Sequence, residues 1–218
     1  ASVDGGGLRN AIPREATAVV LVKEQDAALF EQTVATFERT LTAEYDGIEE
    51  GVSVKVAPAE MPQTIIPAEV AARLARAVVG APNGVVKMSV AMEGLVQTSS
   101  NLARVVSNGS EVKIQCLLRS SSGSEKRALG AAIKGVFELA GGEVSLTGDY
   151  DGWLPNMQSP ILHAMLSSYE QLYGRRPAVM AIHAGLECGI IGGKYEGLDM
   201  ISFGPTISSP HSPDEKVE

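Results

Sequence analysis

This chain of 218 residues is poor in cysteine, histidine and tryptophan, with only two, three and one of them, which leaves little material for a disulfide framework or a histidine- or cysteine-rich metal cluster. Cys116 and Cys188 are too few for a disulfide scaffold and read as free thiols, which fits a reducing, cytoplasmic compartment. No apolar run approaches the roughly 20 residues a membrane-spanning helix needs. The opening ASVDGGGLRN has neither the basic nor the apolar region of a secretory signal. With 18 Lys and Arg against 26 Asp and Glu, the net charge is −8, so no basic face for nucleic acid can be assembled cheaply. Nucleophile elbow, phosphate loop and dinucleotide fingerprint are all missing. Gly5-Gly6-Gly7 could cradle an anion in principle, but no Lys-Ser or Lys-Thr follows to support a phosphate.

What is present is ordinary globular material, 44% hydrophobic and 20% charged, enough for one large domain or two small ones. The β-branched stretch Thr17–Lys23 predicts a strand. Phe30, Val34, Phe37, Leu41 and Tyr45 share one face of a helix that stops near Asp46-Gly47. Val52–Val56 alternates with period two, a strand signal. Pro67 opens a helix carrying Val70, Leu74 and Val78. Val85–Met92, Leu95–Val106 and Glu111–Leu118 predict three strands joined at Glu93-Gly94 and Asn108-Gly109, the latter a strong hairpin signal. Ser124 is the expected cap of a helix through Leu129, Ile133, Val136 and Ala140. Residues 11–142 therefore predict an α+β unit with a largely antiparallel sheet.

After Glu143 the pattern changes. Glu143–Thr147 predicts a short strand and Ser159-Pro160 a helix start. Ala178–Ile182 and Met200–Phe203 are short, fully apolar runs of the kind buried on both faces of a parallel sheet. A domain boundary is expected at 142–150, with 143–218 a fraction of a larger α/β domain. The start inside a glycine-rich stretch suggests a chain cut from a longer protein.

Candidate site residues cluster at turns and strand ends. His211 lies in Ser209-Pro210-His211-Ser212-Pro213-Asp214-Glu215, where flanking prolines present the imidazole with little entropy left to lose. Gly185, in AIHAGLECG, would let a backbone N–H approach a ligand. In that turn Cys188 reads as packing, and Glu187 has no assigned role. Asn10 follows the glycine run and Arg119 ends a strand; an amide and a planar guanidinium together suit a carboxylate or developing oxyanion. The plainer reading makes each of these a turn residue or a solvated side chain. Arg9 and Arg14 read as surface or structural. His163 and His183 have no second ligand at a metal-binding spacing.

The GGxLRNAIP entry, the strand ending in Arg119, AIHAGLECG, and GPTI with HSPDE together closely resemble the aminoacyl-histidine dipeptidases, also called Xaa-His or cytosol nonspecific dipeptidases. That resemblance implies a homodimeric dinuclear-zinc peptidase hydrolysing Xaa-His and related dipeptides in the cytoplasm. It implies that residues 1–142 are most of a lid domain and 143–218 the C-terminal portion of the catalytic domain. It makes His211 a metal ligand, and Asn10, Arg119 and Gly185 substrate-binding residues. The family's first His, its bridging Asp, its general-base Glu and two further carboxylate ligands would lie upstream of Ala1. These 218 residues alone are then expected to bind no zinc tightly and to be inactive. The alternative is a stand-alone α+β small-molecule-binding or dimerisation module.

Overall fold

The computed structural model describes residues 2–150, 152–181, 187–209 and 214–218. Strands β1 (Ser2–Gly5) and β2 (Ala16–Val19) form a hairpin, followed by a single 3-10 turn and helix α1 (Ala27–Glu44). Helix α2 (Ala68–Gly80) leads into β3 (Gly84–Met88), β4 (Val96–Ser107) and β5 (Val112–Ser120), and then α3 (Gly123–Leu139). Helices α4 (Pro160–Tyr173) and α5 (Glu187–Lys194) precede a short ladder of β6 (Ile207–Ser208) and β7 (Lys216–Val217). The β1–β2, β1–β4, β3–β4 and β6–β7 pairings are all antiparallel. β5 also pairs with β4. Strands so paired and interspersed with helices make the chain α+β, as the hairpin turns predicted.

The chain divides into two compact units, Ala1–Leu74 with Leu102–Cys116 and Ala75–Asn101 with Leu117–Glu218. In the first, Gly6 adopts φ +74° and donates its N–H to the Glu15 carbonyl at 3.1 Å. A β-carbon there would collide with the Ala103 carbonyl of β4. The glycine run thus serves a close approach of backbone to backbone. In the second unit, α3 turns Leu129, Gly130 and Ile133 inward. At Gly130 the missing side chain leaves room for Leu118 and Leu146, whose methyl carbons lie 3.6 and 3.4 Å from where a β-carbon would be.

Several sequence expectations are corrected. Val52–Val56 is not a strand: the Val54 N–H goes to the Glu38 carboxylate of α1 at 2.9 Å instead of to a neighbouring strand. Beyond Val19 the predicted first strand gives way to irregular chain. Glu143–Thr147, residues 178–181 and Met200–Phe203 are also irregular. A strand needs partners for its N–H and C=O groups, and among the described residues nothing pairs with these runs. Several of their apolar side chains stay outside, with Met180 80% and Phe203 77% exposed, while Val144, Val179, Met200 and Ile201 are half-buried. The cap of α3 is Ser122, not Ser124: the Ser122 hydroxyl accepts from the Glu125 N–H, and Ser124 only pairs its hydroxyl with that of Ser122. Ser159 caps α4 as expected, with Pro160 at the first turn and Gly174 in the left-handed conformation at its end.

Candidate functional site

The best-defined polar arrangement surrounds the end of β5. Arg119 is half-buried as the penultimate residue of that strand. Beyond it the chain is held at several points. The Ser121 N–H donates to the Gln97 carbonyl of β4 at 3.1 Å, carrying strand pairing one residue past the end of β5. The Ser120 hydroxyl accepts from the Ser122 N–H at 3.0 Å and lies 2.8 Å from the Thr98 hydroxyl. Thr98, 1% exposed, donates in turn to Glu125 Oε2 at 2.6 Å. Gln97 Nε2 reaches the same oxygen at 2.7 Å, and Lys87 of β3 pairs with Glu125 Oε1.

Glu125 stands three residues after the Ser122 cap, where a capping-box glutamate would reach back to the cap's own N–H. Here that N–H goes to Ser120, and the carboxylate turns to the sheet. The Lys87 ammonium, then the Thr98 and Gln97 donors, outweigh desolvation and lower its pKa to about 2. A lowered pKa contributes stability above the ordinary carboxylate range, lost as pH falls toward 2. Carboxyl-carbon NMR of the 218-residue chain should therefore place the Glu125 midpoint near 2; a midpoint near 4.3 would show that the Lys87 pair does not form in solution.

The loop after α3 packs against the same strand end. Lys126 at the start of α3 pairs with Asp149 at 2.6 Å, donates to the Tyr150 carbonyl and lies 5.3 Å from the centre of the Tyr150 ring. The Lys126 hydrogen bond holds the Asp149 carboxyl below its usual range. Gly152 lies so close that a β-carbon would come within 2.5 Å of the Ser121 carbonyl group. A cavity of about 390 Å³ opens beside the network, lined by Val86, Lys87, Thr98, Glu125 and Leu129 among others.

Elsewhere in this unit, Asp199 fixes the start of α4. The Ser159 hydroxyl donates to Asp199 Oδ1 at 2.6 Å and the Ile161 N–H to Oδ2 at 2.9 Å, which keeps that carboxyl below its usual range. Glu187 and Cys188 open α5, with Cys188 half-buried. Cys116 is half-buried on β5, and burial pushes its thiol pKa up. His163 is exposed on α4.

Of the four site residues named from sequence, Asn10 lies exposed in the turn between β1 and β2, within the first unit, and Arg119 ends β5 within the second. Gly185 and His211 lie outside the described residues, as does His183. Among the described residues no three His, Cys, Asp or Glu side chains converge, so these residues do not by themselves form a metal site. No described helix is long and apolar enough to cross a membrane. Sequence reasoning missed Lys87, Thr98, Glu125 and Asp199. The Ser-x-x-Glu spacing of Ser122 and Glu125 was the available signal, together with five consecutive polar residues, Gln97 to Asn101, in β4.

No protein-family profile matches the chain. Its whole length superposes on part of a crystal structure of aminoacylhistidine dipeptidase from Vibrio alginolyticus, with a TM-score of 0.90 and 38% identity, covering 44% of that chain. The arrangement is thus similar to that of a segment of an aminoacylhistidine dipeptidase, and the chain spans less than half the length of the relatives it matches. More particularly, the chain is 36% identical over 214 residues to cytosol non-specific dipeptidase from Escherichia coli strain K12, covering 98% of this chain and 44% of the relative. The resemblance first drawn from GGxLRNAIP, AIHAGLECG and HSPDE therefore extends over essentially the whole sequence.

Proposed function

We propose that this chain is part of a metal-dependent dipeptidase acting on Xaa-His or a broader range of dipeptides in the cytoplasm. The observation that carries the reading is similarity over 98% of the chain to a protein named as a dipeptidase. In this reading residues 1–142 are most of a substrate-capping lid and 143–218 the C-terminal portion of the catalytic domain. Asn10 and Arg119 contact the dipeptide, Gly185 lies against it, and His211 ligates one of two zinc ions. Arg119 suits its part chemically, because a guanidinium can hold a carboxylate or a developing oxyanion through paired N–H donors. The active protein is a homodimer.

One His cannot fix an ion that needs three or four converging ligands, so the 218 residues alone are inactive in this reading. The test is hydrolysis of Xaa-His dipeptides by a complete polypeptide carrying this sequence and by the 218-residue chain, each with and without zinc and a chelator. Chelator-sensitive turnover is expected of the complete polypeptide only. Turnover by the 218 residues alone would overturn the assignment of the missing ligands, and no turnover by either would overturn the dipeptidase reading.

A further inference from the structure

We infer that Thr98 and Glu125 are positioning residues for Arg119, acting through Ser120; the inference rests on the reading of Arg119 as a substrate-binding group. The order of protons in the network follows from its donors. Thr98 has one hydroxyl proton and Glu125, ionised, can only accept, so at 2.6 Å that proton belongs to the carboxylate. The Ser120 hydroxyl must then donate to Thr98 Oγ1 across 2.8 Å, which leaves its own oxygen to accept from the Ser122 N–H at 3.0 Å. The result is a directional chain, Ser122 N–H to Ser120 to Thr98 to Glu125, ending in a carboxylate anchored by Lys87 and Gln97.

A strand end is normally where pairing frays, because its next N–H and C=O groups lose their partners. Here the residue after Arg119 is tied through its side chain to β4, and the residue after that is tied through its N–H to Gln97. The backbone that carries the guanidinium is therefore fixed from its C-terminal side by groups of β4, β5 and α3. Holding a catalytic contact in place is worth a great deal, since a displacement of about 1 Å can cost on the order of 100-fold in rate.

Thr98→Val is the sharpest probe, because it removes the hydroxyl at nearly constant volume and leaves Glu125 its Lys87 and Gln97 partners. In the complete enzyme, kcat and KM for an Xaa-His dipeptide are measured for the parent, Thr98→Val, Thr98→Ser, Arg119→Ala and the Thr98→Val/Arg119→Ala pair, with thermal melts of each. Thr98→Val should lower kcat/KM by about 10- to 100-fold, and Thr98→Ser, which keeps the hydroxyl, should stay near the parent. Thr98→Val should cost less than about twofold when Arg119 is already alanine, because the group it positions is gone. Additive losses, or a Thr98→Val enzyme as active as the parent while Arg119→Ala is impaired, would overturn the inference and leave the reading of Arg119 standing. An Arg119→Ala enzyme of unchanged efficiency would overturn that reading and the inference with it. If Thr98→Val fails to fold, Ser120→Ala takes its place in the same cycle.

Discussion

Under the proposed dipeptidase function, Arg119→Ala in the complete polypeptide is expected to lower kcat/KM for dipeptides by about 30- to 1000-fold while leaving metal content unchanged. The magnitude is that of losing one charge-assisted contact to the reacting group, about 2–4 kcal/mol in the transition state. Its position supports a role beyond surface charge: the side chain is half-buried at the end of β5, and the chain just after it is pinned to β4 and packed against by Gly152. Arg119→Lys should recover only part of the loss, since an ammonium keeps the charge but not the planar pair of donors. Metal analysis beside the kinetics separates the two explanations. A fall in zinc content parallel to activity would mean that Arg119 supports the metal site, and unchanged kinetics would make it a surface residue.

Gly6→Ala should destabilise the 218-residue chain by about 2–5 kcal/mol. Two costs combine at this position. Alanine at φ +74° bears the left-handed penalty of about 1–2 kcal/mol, and forcing a methyl group against a packed neighbour adds about 1–3 kcal/mol. The neighbour is the backbone carbonyl of Ala103, which cannot swing aside as a long side chain could. Urea denaturation is the measurement, and Gly7→Ala is the control, because nothing lies within 4 Å of a β-carbon there. Equal stability of the two variants would show that the β1–β4 approach is looser in solution.

Local signals in the sequence were sufficient for α1, α2, α4, the β4–β5 hairpin and the α+β class. Each depends on neighbours in the chain: the four-residue recurrence of Phe30, Val34 and Tyr45 partners, Pro67 and Ser159-Pro160 at helix starts, and Asn108-Gly109 with Gly109 at φ +87°. The motif segments were legible for the same reason, as contiguous strings. What failed were strands called from an apolar or alternating run alone, Val52–Val56, Glu143–Thr147 and Met200–Phe203. A strand exists only where another backbone accepts its hydrogen bonds, and that is no property of the run itself.

Arg119 was readable as a candidate because it ends a recognisable strand, and Asn10 because it closes a glycine-rich turn. The network behind Arg119 was not readable. Lys87, Thr98, Ser120 and Glu125 come from β3, β4, β5 and α3, separated by up to 38 residues in sequence. Sequence by itself determined the class of fold, the Asn108-Gly109 turn, the starts of α2 and α4, and the motifs that resemble those of the dipeptidases, because all of these are written in adjacent residues. Only the tertiary structure decided that Glu125 leaves its capping-box role for Lys87 and Thr98, and that Gly6 lies against Ala103, because hydrogen bonds and steric contacts between distant segments depend on where the backbone brings them.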